Sequence, residues 1–411
     1  MSLALVENER RITDPSAPAP LMIKYLGSKR TLLPTITAVV GAVPGVRRVV
    51  DLFAGTSRVG HALKARGLQV IANDHNAYAH ALARCYVAAD RERVLADATR
   101  LLAEFAALPP APGYFTATFC ERARFFRPEN GARIDAIREA IAAKGLDPEL
   151  EAVVLVALME AADRVDSTCG VQMAYLKEWA PRAHAALDLR LPDVLPAVAH
   201  GRCEARQQDA LDAARALEAD VVYLDPPYNQ HSYLGNYHIW ESLVRWDKPE
   251  VYGVAQKRID CKERRSPFNR RGECAGALAA VVRAARARVL VLSFNNEGHI
   301  DRAEIEAILA ERGPVSVIAT DYKRYVGAQI GIYNPQGARV GEVSHLRNVE
   351  HLYIVDIAGV GVDWSALAAR LSTAPADRPA PSEREAPAPD SSPPEPAPPP
   401  PPAAPTSPPK T

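Results

Sequence analysis

The sequence lacks several features that would settle its class at once. Its 6 cysteines, at positions 85, 120, 169, 203, 261 and 274, form no C-x-x-C pair and keep none of the histidine spacings of a zinc site. A reduced, cytoplasmic protein without a bound metal is expected. Long apolar runs are missing too: the longest, residues 152–159, stops at Glu160, far short of the roughly 20 residues that span a bilayer. No basic flank leads into an apolar stretch at the N-terminus, so neither secretion nor membrane insertion is supported. Net charge is absent as well, since 49 Lys plus Arg balance 49 Asp plus Glu. Taken over the whole chain, that balance does not suggest a nucleic-acid binder.

Glycine is absent from residues 373–411, which hold 16 of the 35 prolines, three bases and five acids. Such a tail is expected to be extended and disordered, a solubilising spacer. Without it, 372 residues remain with 19 prolines and a charge of +2, near the usual proline content of about 5%. That is chain enough for one large domain or two ordinary ones. Residues 1–20, polar and proline-spotted, read as a flexible leader.

Short Val- and Ile-rich runs at 46–53, 69–73, 220–224, 289–294, 315–319 and 351–355 read as strands buried on both faces. Helical patterns at 29–40, 59–66, 77–87, 235–246, 274–287 and 302–312 lie between most of them. The alternation predicts an α/β fold with a doubly wound, mostly parallel sheet. Only residues 91–196 break it, with helical patterns such as 130–144 and 148–165 and no convincing strand. They are expected to be a helical insertion in a domain made of residues 21–90 and 197–372.

The first strand runs through Asp51 and Phe53 into a small-residue turn, Gly55-Thr56-Ser57-Arg58-Val59-Gly60, and then a helix. A turn of that kind lets a ligand approach the backbone at a helix N-terminus. Asp74, 23 residues after Asp51 at the end of the second strand, is placed to accept hydrogen bonds from a ribose. Together they favour a nucleoside-type cofactor over a purely structural turn.

A more specific signal follows at Val221-Val222-Tyr223-Leu224-Asp225-Pro226-Pro227-Tyr228. Two prolines end the strand and fix its backbone, so that the Asp225 carboxylate and the Pro226 carbonyl form a pair of acceptors. An amino group on a purine is a poor nucleophile because its lone pair is delocalised into the ring. Acceptors on both its hydrogens favour a pyramidal nitrogen and free that pair, while Tyr228 offers a face for the base to stack on.

In these motifs the chain resembles the DNA N6-adenine methyltransferases of the D12 class, over residues 22–357. The resemblance implies a Rossmann-like methyltransferase fold and S-adenosylmethionine as cofactor. It implies that Lys24-Tyr25-Leu26-Gly27-Ser28-Lys29 holds the methionine end of the cofactor, with Tyr25, Gly27 and Lys29 as contacts, and that Asp209 faces its adenine. The 91–196 insertion would then contribute to target recognition, and residues 322–352, which include Arg324, would form a hairpin at the DNA face. Double-stranded DNA is the implied partner, and the enzyme would either belong to a restriction-modification system, with a cognate restriction endonuclease as a further partner, or act as an orphan methylase. Two departures stand out: Ser57 replaces a glycine common in the cofactor turn, and the proline-rich tail has no counterpart.

Seven bases against two acids give residues 257–271 a charge of +5. Lys257, Arg258, Lys262, Arg264 and Arg265 are therefore expected in a loop that meets phosphates. Arg122, Arg124 and Arg127, with Phe125 and Phe126, are a second candidate contact unless the phenylalanines are core. The expected reaction is attack by a flipped-out adenine held on Asp225, Pro226, Pro227 and Tyr228, with no covalent enzyme intermediate. The alternatives are N4-cytosine or RNA methylation, disfavoured by Asp225 and by the Lys24–Lys29 motif, and a non-catalytic DNA-binding module. A dinucleotide-dependent dehydrogenase gives no reason for the D-P-P-Y motif.

Overall fold

The computed structural model describes residues 22–323, 332–333, 339–341 and 347–372. The leader, the proline-rich tail and Arg324 lie outside the described residues. Contacts divide the chain after Ala374, and every described residue belongs to the first unit.

In chain order the elements are α1 (Leu33–Ala42), β1 (Arg48–Asp51), α2 (Arg58–Lys64), β2 (Gln69–Asn73) and α3 (Ala77–Ala83). The insertion supplies α4 (Arg91–Ala106), α5 (Pro128–Lys144) and α6 (Pro148–Arg164). Then come β3 (Glu204–Arg206), α7 (Ala210–Ala216), β4 (Glu218–Leu224), α8 (Tyr233–Asn236), α9 (His238–Arg245), β5 (Val251–Tyr252) and β6 (Lys257–Arg258). The remainder are α10 (Cys274–Ala284), β7 (Arg286–Asn295), α11 (Arg302–Ala310), β8 (Val315–Lys323), β9 (Ile332–Tyr333), β10 (Arg339–Gly341), β11 (Arg347–Asp356) and α12 (Trp364–Ser372).

Seven strands form the main sheet in the order β3-β2-β1-β4-β7-β11-β8. From β3 to β7 all neighbours are parallel, and β11 runs antiparallel between β7 and β8. The apolar runs are explained by burial on both faces. Val49, Val221, Val289 and Ile354 join Ile36 and Val39 of α1 in one core layer, while Val50, Val222, Leu290 and Val355 join Leu278 of α10 and Ile305 of α11 in the other. Alternate residues thus face opposite layers, and both layers are apolar.

The insertion folds as three helices whose ends the sequence marks: Asp90 and Asp147 cap α4 and α6 through their carboxylates, and Gly145 ends α5 at φ +55°. Phe115, Phe119, Phe125 and Phe126 share a core with Tyr78 of α3 and Trp240 of α9, so the insertion is packed onto the α/β part. This makes Phe125 and Phe126 core residues and removes them as a candidate DNA contact.

Three details differ from the sequence pattern. β3 is an added strand at the sheet edge, with residues too exposed for an apolar signal. The helix expected over 235–246 is two, because Tyr237 leaves helical geometry at φ −132°. The pattern over 77–87 ends in a π-helical turn, Arg84–Ala88. Among the described residues no helix is long and apolar enough to cross a membrane.

Candidate active site

Strand order reverses between β1 and β4, where chain connections leave in opposite directions. In open α/β sheets such a switch point opens a crevice beyond the carboxyl ends of the strands. Here the crevice is a cavity of about 330 Å³, lined by Tyr25, Lys29, Asp51, Phe53, Asp74 and Asp225 among others. That volume is within the range for small-molecule sites. Asp51 ends β1, Asp74 follows β2 and Asp225 follows β4, so one sheet edge gathers the three acids.

The turn after β1 has the close-approach geometry expected of it. Gly55, at φ +50°, donates its N–H to Asp74 Oδ2 at 3.1 Å, and a Cβ there would stand 3.4 Å from the Tyr25 ring. Ser57, in the place of the glycine, adopts the left-handed conformation at φ 60°, ψ 19°. The turn therefore survives with serine. Asp74 also accepts from Asn76 N at 2.9 Å, which fixes its carboxylate while leaving acceptor capacity on both oxygens.

Asp51 is nearly inaccessible, at 1% exposure. Burial first, and the charge of Asp225 second, push its carboxyl up to about 8. The Gly60 amide offsets this in part, yet neither oxygen has a hydrogen-bond partner of normal geometry among the described residues. A buried acceptor with unmet demand, in the wall of a ligand-sized cavity, fits a cationic or hydrogen-bond-donating ligand group.

The N-terminal motif lies across the cavity. Tyr25 stacks on Tyr237 at 4.5 Å and 14° and on Tyr233 at 5.1 Å and 11°, and Leu26 N donates to the Tyr237 hydroxyl at 2.6 Å. At Gly27, φ is +74° and a Cβ would meet the Tyr233 hydroxyl at 3.0 Å. The insertion holds this motif from behind: Lys24 N donates to Asp163 Oδ2 at 3.0 Å, and Lys24 Nζ lies 3.1 Å from Asp166 Oδ1.

Lys29, expected at the cofactor's methionine end, lines the cavity with Tyr25 and Gly27, and its ammonium also reaches the D-P-P-Y motif. Nζ lies 2.9 Å from Asp225 Oδ1 and 2.8 Å from Glu350 Oε1. Burial works against its charge, but Asp225 and Glu350 outweigh it and hold the ammonium well above the ordinary lysine value. Burial pushes the Asp225 carboxyl up to about 6, Lys29 draws it down and Glu350 pushes it up. Pro226 is buried, Pro227 and Tyr228 are half-buried, and the Tyr228 ring meets Phe294 edge to face at 5.9 Å.

Asp209 is exposed at the cavity rim, where it caps α7 by accepting from Leu211 N at 2.8 Å. Phe53 lines the cavity and packs edge to face on Phe268 at 5.2 Å. Phe268 was not anticipated. It belongs to residues 264–269, a cavity wall, and the one clue was an aromatic residue inside a charged run.

The basic segment is corrected accordingly. Arg258 is 2% exposed and donates to both oxygens of Asp247 at 2.7 Å and to Asp260 at 3.0 Å; it is an internal cation, withdrawn from phosphates. Arg264 pairs at 2.8 Å with Glu241, which is fully buried, and faces the cavity. Lys257 is half-buried. Lys262 and Arg265 are exposed, Lys262 over the Tyr252 ring at 4.3 Å and Arg265 bonded to the Lys262 carbonyl at 3.0 Å. In the insertion, Arg124 lies over the Trp179 ring at 4.7 Å and Arg127 pairs with Glu129 at 3.1 Å.

Comparison with known proteins gives one family and several relatives. The sequence model of the D12 class N6 adenine-specific DNA methyltransferases matches residues 25–307. The type II methyltransferase M.NlaIII of Neisseria lactamica is 30% identical over 315 residues, covering 74% of this chain and 92% of that protein. M.CviAII of Paramecium bursaria Chlorella virus 1 is 25% identical over 317 residues, with 74% and 92% covered. M.FokI of Planomicrobium okeanokoites is 29% identical over 310 residues, 71% of this chain but 47% of its own length.

Proposed function

Because the chain belongs to the D12 class of N6 adenine-specific DNA methyltransferases, we propose that its cavity binds S-adenosylmethionine beside an adenine flipped out of duplex DNA. The observation that carries this reading is the junction of Asp225 with Lys29 and Asp51 at one sheet edge. The cofactor, when bound, supplies an electrophilic methyl group on a positively charged sulfur.

The chain's own residues do the rest. Asp74 accepts hydrogen bonds from a ribose, Phe53 with Phe268 presents aromatic surface to a base, and Asp209 stands at the rim for its amino group. Tyr25 and Gly27 shape the far wall, and Asp51 offers its buried carboxyl to the cationic end. On the substrate side, Asp225 and the Pro226 carbonyl accept the two hydrogens of the adenine amino group, which draws its nitrogen pyramidal and restores the lone pair. Tyr228 stacks on the base, and Pro227 keeps the turn rigid. Positioning and fixed charge perform the catalysis. We propose further that residues 91–196 contribute to sequence recognition and that a restriction endonuclease of the same specificity accompanies the enzyme. Membership of a family of adenine-specific DNA methyltransferases argues against the N4-cytosine and RNA alternatives, and the presence of Asp225, Tyr228, Lys29 and Asp74 together argues against a non-catalytic module.

Asp225→Ala is expected to abolish methyl transfer while cofactor affinity, measured by calorimetry, stays within a few-fold. Turnover retained in that variant would remove Asp225 from the mechanism. Sequencing that detects modified bases, on DNA from a host expressing the protein, should report N6-methyladenine in one sequence context; modified cytosine would overturn the reading.

A further inference from the structure

Glu350 stands outside the D-P-P-Y motif and outside the cavity lining, yet it belongs to the same charge network. It sits within β11, paired through its backbone with Asn295 of β7 and Thr320 of β8, and is 3% exposed. One carboxylate oxygen, Oε1, accepts from Lys29 Nζ at 2.8 Å and from Ser293 Oγ at 2.6 Å. β11 is hydrogen-bonded on both sides at this residue, which fixes the backbone that carries Glu350.

We propose that Glu350 is a positioning residue for methyl transfer, acting through Lys29 to set the orientation and the charge of Asp225. The inference rests on the function proposed above. A lysine ammonium is a flexible point charge with three donors. Facing Asp225 alone, it would settle wherever it best neutralised that carboxylate. With Glu350, itself held by Ser293, fixing its far side, Lys29 lies against Oδ1, which leaves Oδ2 for the amino group. Two carboxylates sharing one ammonium also carry a net charge of −1, so Asp225 keeps the character of a hydrogen-bond acceptor beside its counterion.

The groups around Asp225 are Lys29 ahead of α1, Asp51 of β1, Tyr223 of β4, Tyr228 of the motif, Tyr233 of α8 and Glu350 of β11. Of the two charges that act most on it after burial, Lys29 favours its ionised form and Glu350 disfavours it. Removing the charge of Glu350 therefore moves the titration of Asp225 downward.

The test compares wild type with E350Q. The expected result is a fall in kcat of roughly 10- to 100-fold, as for outer residues that orient a reacting group. KM for the cofactor should stay within about two-fold. The acidic limb of the kcat/KM profile should shift to lower pH by on the order of half a unit or more. A lowered kcat with an unmoved limb assigns Glu350 a merely structural role and overturns the proposal, as does an unchanged kcat. The carboxyl carbon resonance of Asp225, identified by its loss in Asp225→Asn, should titrate at lower pH in E350Q. That readout needs no turnover, so it separates failure of this inference from failure of the proposed reaction. If E350Q does not fold, Ser293→Ala loosens the same anchor: kcat should drop several-fold with cofactor affinity kept, and an unaltered kcat overturns the proposal.

Discussion

Ser57 shows how a single position can keep a turn at a cost. Its φ of 60° lies where a side chain is disfavoured, and its hydroxyl is buried with no hydrogen-bond partner among the described residues. Ser57→Gly should relieve both penalties, against the extra backbone freedom of glycine in the unfolded chain. The expected net gain is about 1 kcal/mol in urea unfolding, with the turn intact; a loss of stability would show that the serine side chain supports the turn. The sequence revealed this position as a departure from glycine, because a motif is a local pattern. It did not reveal the link from Lys29 to Glu350, 321 residues apart, since no spacing rule connects the two.

Among elements, the segment of residues 257–271 changed most between sequence and structure. Its charge is real, but charge composition does not say which side chains turn inward. Arg258 satisfies Asp247 and Asp260 beneath the surface, so Arg258→Ala should cost about 2 kcal/mol, below the range for fully buried pairs because its partners are partly solvated. The double change Lys262→Ala with Arg265→Ala should leave stability within about 0.5 kcal/mol and lower the salt slope of DNA binding by about 1 to 2. An unaltered slope would return both residues to ordinary surface. Conversely, the helices and central strands were legible because burial on one helix face or both sheet faces writes a periodic pattern. β3 was not legible, being 3 residues long and half exposed at an edge.

At the scale of the whole molecule, burying acids has a price in pH dependence. Asp51 is raised to about 8 by burial and by Asp225, and Glu160, bonded to the Tyr86 hydroxyl, is raised to about 7 by burial. Acids raised in this way stabilise the fold fully below their unfolded pKa and lose that contribution as pH rises through the folded value. The unliganded protein should accordingly show a lower Tm at pH 8.5 than at pH 7, and Asp51→Asn should flatten the trend. A wild-type Tm that does not fall over that interval would mean Asp51 is ionised already.

By itself the sequence determined the α/β alternation, the small-residue turn after the first strand, the D-P-P-Y motif and, through their order along the chain, the family. These are local patterns, written by burial period, by proline and glycine geometry and by short spacings. Only the tertiary structure decided what those residues touch. It set β11 antiparallel between β7 and β8, brought Glu350 onto Lys29 and drew Arg258 and Arg264 inward. The physical reason is that an apolar run specifies that a strand is buried but not its neighbours or direction, and a charged side chain acquires its partner only when the sheet closes around it.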